Sequence, residues 1–105
     1  MDSSAAAAPV LIDWKGQDVR QANRLLNDFL REHPDAQDPI RVVNCEGMPY
    51  AAPGIRYAQP VEFQGGLGNY ALFGCDLAEG HIRGHVGDHA IEHQQGGVVI
   101  VHGQA

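Results

Sequence analysis

The chain has 105 residues and a formal net charge of −6, with a single lysine, Lys15, and six arginines scattered from Arg20 to Arg83. That length bounds it to one domain with a modest core, and dispersed positive charge excludes a phosphate-tracking nucleic-acid face. The opening stretch to Pro9 has no positive n-region and no apolar run approaches the roughly 20 residues that span a bilayer, so the expectation is a cytoplasmic protein with neither nucleic acid nor membrane as partner.

Residues 1–9, rich in Ser and Ala without periodicity, read as a disordered tail. A short strand over 10–12 leads into Asp13-Trp14-Lys15-Gly16. One helix follows over about 18–33, with Val19, Ala22, Leu25, Leu26, Phe29 and Leu30 on its apolar stripe and Arg20, Arg24, Asn27, Asp28 and Arg31 on its wet face. Asp18 is its expected N-cap, Gln21 completes the capping box, and Pro34 ends it. Ile40 to Val43 form a second β-run, closed by the turn Asn44-Cys45-Glu46-Gly47. Pro53, Gly54 and Pro60 then punctuate an extended segment that delivers the chain to Val61-Glu62-Phe63. Residues 10–60 thus read as a small α+β segment.

From residue 61 onward a 19-residue repeat takes over. Gly65, Gly84 and Gly103 share one register, Gly68 and Gly87 follow the first two by three, Phe63, Ile82 and Val101 precede the series by two, and Tyr70 and His89 follow by five. A period too short for a helical hairpin, carrying glycine and β-formers in phase, predicts a β-solenoid. The fold class expected is mainly β: a right-handed parallel β-helix of about two coils over 61–105, with glycine at corners where no Cβ fits. Solenoids usually need about three repeats and a cap, so an open edge after Val98 to Val101 predicts an assembly, a homo-oligomer included, a truncated product of a longer β-helix, or poor solubility.

These residues carry a resemblance. Leu11 to Asp13, Val19-Arg20 with Asn23 and Leu25-Leu26, Val42-Val43-Asn44 with Gly47, and the stretch from Ala51 to Ile55 resemble the N-terminal part of the GXGXG-domain subunit family. Gly65-Gly66-Leu67-Gly68-Asn69-Tyr70 matches that family's first Gly-x-x-Gly with its aromatic, Gly84-His85-Val86-Gly87 the second, and the run from Glu92 to Gly103 its polar turn, strand and next glycine. The family is similar to the C-terminal β-helix domain of the glutamate synthase large subunit, and the chain is most like the free-standing subunit of N-methylglutamate synthase. It spans about half of the family's length and departs from it in the longer gap from Gly68 to Gly74 and in Cys45, where the family tends to have proline. The resemblance implies a non-catalytic scaffold subunit or fragment of a glutamate-synthase-like oxidoreductase, with no catalytic residue and no cofactor in this chain. FMN and iron–sulfur clusters are then expected in partner subunits, an amidotransferase-like chain and a flavin-containing synthase-like chain. The β-helix subunit of a formylmethanofuran dehydrogenase or formyltransferase/hydrolase complex is the alternative within the same fold.

The glycines do not form a phosphate cradle, since neither a Walker-type Gly-Lys-Ser/Thr nor a Gly-x-Gly-x-x-Gly opening a helix occurs. His81, His85, His89 and His93, four apart, would line up as metal ligands on a helix, the basis of a third reading as a stand-alone metal-binding protein. Gly80, Gly84 and Gly87 make a helix there cost about 1 kcal/mol each, and the 19-residue frame sends the four in different directions; His33 and His102 add nothing to them. Cys45 and Cys75 lack the spacing of a disulfide framework or zinc site and read as ordinary thiols. Asp88 and Glu92 read as coil-turn residues satisfying backbone donors, and Trp14 and Tyr50 as packing anchors.

Overall fold

A computed structural model describes residues 9–103; the tail expected before Pro9 lies outside the described residues. The elements in chain order are β1 (Val10–Asp13), α1 (Val19–Glu32), β2 (Ile40–Val43), β3 (Arg56–Tyr57), β4 (Val61–Gln64), β5 (Asp76–Arg83) and β6 (Gly96–Val101). Every strand pairing is parallel. One column runs Val10, Ile40, Val61, Gly80, Val99 across five strands. A second runs Arg56, Asp76, Gly96, and a third is made of single bridges joining Met48, Leu67 and Val86. Three parallel columns linked by corners are the sides of a parallel β-helix, here of about three turns.

The strands form because their residues alternate. Ile40 and Val42, then Val61 and Phe63, turn inward and are buried, while Arg41, Val43, Glu62 and Gln64 between them are only half-buried. Successive coils set these inward residues directly above one another, so the core is a stack of apolar layers joined by Leu67, Ala71, Leu72, Cys75, Leu77 and Ile82.

Residues 40–57 make one such turn, so β2 belongs to the helical stack and the sheet continues across the boundary expected at residue 60. The 19-residue period misses this coil for a geometric reason. Ile40 pairs with Val61, an offset of 21, whereas Met48 pairs with Leu67, an offset of 19. The first corner therefore holds two extra residues and carries Asn44, with φ 61, in place of a glycine.

Helix α1 lies over the end of the stack that β1 begins. Its N-terminus follows the sequence signals: the Asp18 carboxylate accepts the Gln21 N–H at 2.8 Å and the Gln21 side chain accepts the Asp18 N–H at 3.0 Å. Ala22 and Leu26 are fully buried in the core, with Phe29 and Leu30 packed against it. Leu25, expected on the buried stripe, is 43% exposed, because residues four apart, Ala22 and Leu26, define the contact line and Leu25 lies about 100° round the helix from Leu26. Trp14, 1% exposed, anchors this end and sits 6.1 Å from the Phe63 ring. Tyr50 does not anchor it: its ring is on the outside and the residue is 57% exposed.

Candidate functional site

The most specific surface in this molecule is the corner side of the coils, built from two kinds of backbone geometry. At the first corner successive turns approach so closely that only glycine fits. A Cβ on Gly84, which has φ +144, would stand 2.6 Å from the Gly66 nitrogen, and one on Gly65 would stand 2.9 Å from the Glu46 nitrogen. A Cβ on Gly68 would run into the Gly47 carbonyl, one on Gly87 into Asn69, and one on Gly103 into the Gly84 carbonyl. The five glycines singled out by the repeat are thus the stacking points of successive turns. Gly97, with φ +80, is equally constrained, since its Cβ would overlap the Leu77 carbonyl. It faces Leu77 beside an irregular stretch of β5 pairing between Leu77 and Gly80, which takes it out of the 19-residue frame.

Beyond that corner, positive φ recurs at every second residue: Tyr50, Ala52 and Gly54 in the first coil, Tyr70, Leu72 and Gly74 in the second, His89, Ile91 and His93 in the third. Such values are uncommon for side-chain-bearing residues and unfavourable for β-branched Ile91. They persist because the alternation turns main-chain groups toward neighbouring coils in a fixed pattern. Tyr50 and Gly54 donate upward to the carbonyls of Asn69 and Phe73 at 2.8 and 2.7 Å, while Leu72 donates downward to Ala51 at 2.7 Å. One coil higher, Tyr70 and Gly74 donate to Asp88 and Glu92 at 3.0 and 2.8 Å and Ile91 donates to Ala71 at 2.7 Å. The rings on this path stack on the outside: Tyr50 on Tyr70 at 5.5 Å and 7°, Tyr70 on His89 at 5.0 Å and 11°. Tyr70 and His89 are in phase in the sequence; Tyr50, offset by 20 from Tyr70, is not.

Asn23 ends this ladder at the helix end. Its Oδ1 accepts the Ala52 N–H at 2.7 Å and its Nδ2 donates to the Tyr50 carbonyl at 3.0 Å. Ala52 holds the place that Leu72 and Ile91 hold above it, and the Asn23 carboxamide stands where a lower coil would offer its peptide group. A lone asparagine on the helix face gives no signal of this in sequence.

The four evenly spaced histidines have separate surroundings. His81, on β5, has Nε2 2.7 Å from Glu79 and Nδ1 2.8 Å from His102 Nε2, with the two imidazoles stacked at 5.1 Å. His85 is in the glycine corner. His89 pairs with Glu92 at 2.6 Å, and His93 lies against Phe73 at 4.8 Å. Among the described residues no group of three or more His, Cys, Asp or Glu is placed to hold a metal ion. His102, outside the four-residue spacing, shares a ring-nitrogen hydrogen bond with His81, whose other nitrogen goes to Glu79. Glu92 and Asp88 satisfy the backbone donors of Gly74 and Tyr70 through their main-chain carbonyls and not their side chains; the Glu92 carboxylate goes to His89, and the Asp88 N–H donates to the Asn69 side chain at 2.7 Å.

Outward from β4 and β5, Glu62 lies between Arg41 and Arg83 at 3.8 and 3.5 Å. Its carboxyl is held below the ordinary range, first by the Gln64 side chain at 2.7 Å and then by those guanidinium groups. Cys45 and Cys75 are free and buried. Burial pushes the Cys45 thiol up to about 12 and raises that of Cys75 as well, opposite to what a nucleophile needs. No described helix is long and apolar enough to cross a membrane.

Fold and corner geometry together define a parallel β-solenoid of about three turns, closed at one end by a helix. No protein-family model, curated protein or solved structure matches this chain.

Proposed function

We propose that this chain is a non-catalytic scaffold subunit, or part of one, in a glutamate-synthase-like oxidoreductase of the cytoplasm. Its work in that reading is spacing and docking, while an amidotransferase-like chain and a flavin- and iron–sulfur-bearing chain supply the chemistry. The observation that carries the reading is the glycine corner of the GXGXG-like pattern, where Gly65, Gly68, Gly84, Gly87 and Gly103 stack successive coils so closely that no Cβ fits. Glycines that serve coil stacking suit a module whose work is structural.

Native mass spectrometry of the protein isolated from its source cell tests this. Co-elution with amidotransferase-like and flavin-containing chains is the expected result. A lone species at the sequence mass would overturn it.

A further inference from the structure

Two histidines meet on the lateral face of the stack, on the side of the coils and not at their end. In the β5–β6 register His81 pairs with Ile100 and Ile82 with Val101, so His102 is the diagonal neighbour of His81 on the outward face. Their sequence separation of 21 is one 19-residue turn plus one step of two along the strand, which returns to the same face. The contact lies between two adjacent strands and is complete within them.

The two rings are held unequally. His81 is the fixed member: its side chain is only 18% exposed, and its Nε2 lies 2.7 Å from Glu79 Oε2. A carboxylate accepts and does not donate, so a neutral His81 ring carries its proton on Nε2 and a lone pair on Nδ1. That lone pair faces His102 Nε2 at 2.8 Å. A carboxylate on the remote nitrogen is the arrangement that orients metal-bound imidazoles and raises the basicity of the ligating nitrogen. His102 is the adjustable member, because it is exposed. Moving its proton from Nε2 to Nδ1 through solvent frees a second lone pair with no net loss of a proton. The other charged groups on this face are Arg41, Glu62 and Arg83, with Glu62 between the two guanidinium groups; Glu79 offsets the one positive charge that these three leave.

The gap between the nitrogens selects a geometry. Two nitrogens bound to one ion at about 2.0–2.1 Å stand about 2.9 Å apart across a right angle and about 3.4 Å apart at the tetrahedral angle. The observed 2.8 Å fits the right angle, which is the preference of tetragonal Cu(II) and not of structural zinc. We propose that His81 Nδ1 and His102 Nε2 form a two-nitrogen chelate for Cu(II), reached by a turn of the His102 ring that brings both lone pairs to one point, with water in the remaining positions. Among the described residues no group of three or more His, Cys, Asp or Glu is placed around an ion, so the site is open and its metal exchangeable. Cu(II) binds nitrogen sites more tightly than the other divalent first-row ions. The inference stands on this pair alone and does not draw on the scaffold reading.

Copper(II) added in substoichiometric amounts to the full chain at about pH 7.5, where an imidazole of ordinary pKa is neutral, tests this by NMR. Paramagnetic loss of signal is expected first at the amides of His81, Arg83, Ile100 and His102, and electron paramagnetic resonance should show two imidazole nitrogens on the ion. His102→Ala, at an exposed position, is expected to raise the dissociation constant by about tenfold or more, since losing even a group that only orients a ligand costs that much. His81→Ala should do the same, whereas His89→Ala, whose ring stacks on Tyr70, should leave the constant unchanged. The Val61 and Phe63 amides report that each variant is folded, and if His81→Ala unfolds the chain, His102→Ala alone decides. Signal loss centred on another histidine, or a constant unchanged in folded His102→Ala, overturns the proposal.

Discussion

The Asn23 side chain reaches from α1 to the main chain of Ala52, accepting its N–H at 2.7 Å, and also donates to the Tyr50 carbonyl at 3.0 Å. One carboxamide thereby takes the place of a peptide group and lets a helix close a stack that otherwise accepts only another coil. Asn23→Ala leaves the part-buried Ala52 N–H without its acceptor, and the expected cost is about 1–3 kcal/mol. Denaturant unfolding checks it; Asn23→Asp, which keeps the acceptor and loses the donor, should fall between wild type and alanine. A loss below about 0.5 kcal/mol in the alanine variant would show that water replaces the contact.

Gly84→Ala and Gly87→Ala test the corner. Each new Cβ meets main-chain atoms, at 2.6 Å from the Gly66 nitrogen in one case and 2.6 Å from the Asn69 nitrogen in the other. Rigid backbone cannot yield as a flexible side chain would, so each substitution should cost about 2–4 kcal/mol. Gly16→Ala serves as the control. Its Cβ would meet nothing within 4 Å, although its φ is +73, and the expected loss is only about 1 kcal/mol. Thermal melts of the three variants should separate accordingly.

His81 and His102 share one hydrogen bond between ring nitrogens, which requires that at least one of the two be a neutral acceptor. Charged neighbours are Glu79 on His81, Arg83 beside His102, and Glu62 nearby. The His102 imidazole is held below its ordinary value of 6.5 by desolvation first, then by Arg83 and His81, against an opposing pull from Glu62. A histidine whose folded value is depressed favours the fold in its neutral form. Its contribution is therefore full above about pH 6.5 and is lost as pH falls through the lower folded value. NMR titration should give His102 a midpoint below 6.5, moving back toward it in His81→Ala; an unchanged midpoint in that variant would exclude the pairing.

Both thiols should be inert in the folded protein. Cys45 is buried, with its thiol raised to about 12, so the thiolate is scarce at neutral pH. Ellman's reagent at pH 8 is expected to label neither cysteine until denaturant is added, and then to label two. Fast labelling of Cys75 under native conditions would mean that the corner above it opens readily.

Much of this architecture was legible in the residues. The helix was read to within a residue or so at each end, since Asp18, Gln21 and Pro34 act locally. The upper coils could be read from the glycine period, because close approach of backbones excludes every side chain and so leaves the same letter in each turn. Where the local signal weakened, the reading did too. The coil over 40–57 was missed because its wider corner uses Asn44 and two extra residues, and the column Gly54, Gly74, His93 because its offsets are 20 and then 19.

By itself, then, the sequence determined where turns must be tight, which strand residues face inward, and where the helix starts and stops. These are properties of φ, of Cβ volume and of alternation, each settled within a few neighbouring residues. Only the tertiary structure decided that Asn23 seals the first coil, that Tyr50, Tyr70 and His89 stack, and that His81 meets His102 while the other evenly spaced histidines go elsewhere. Those relationships depend on which residue of one coil lies above which residue of the next. Coil-to-coil offset is set by the sum of corner lengths around a turn, a quantity that the folded stack fixes and no single stretch of chain contains.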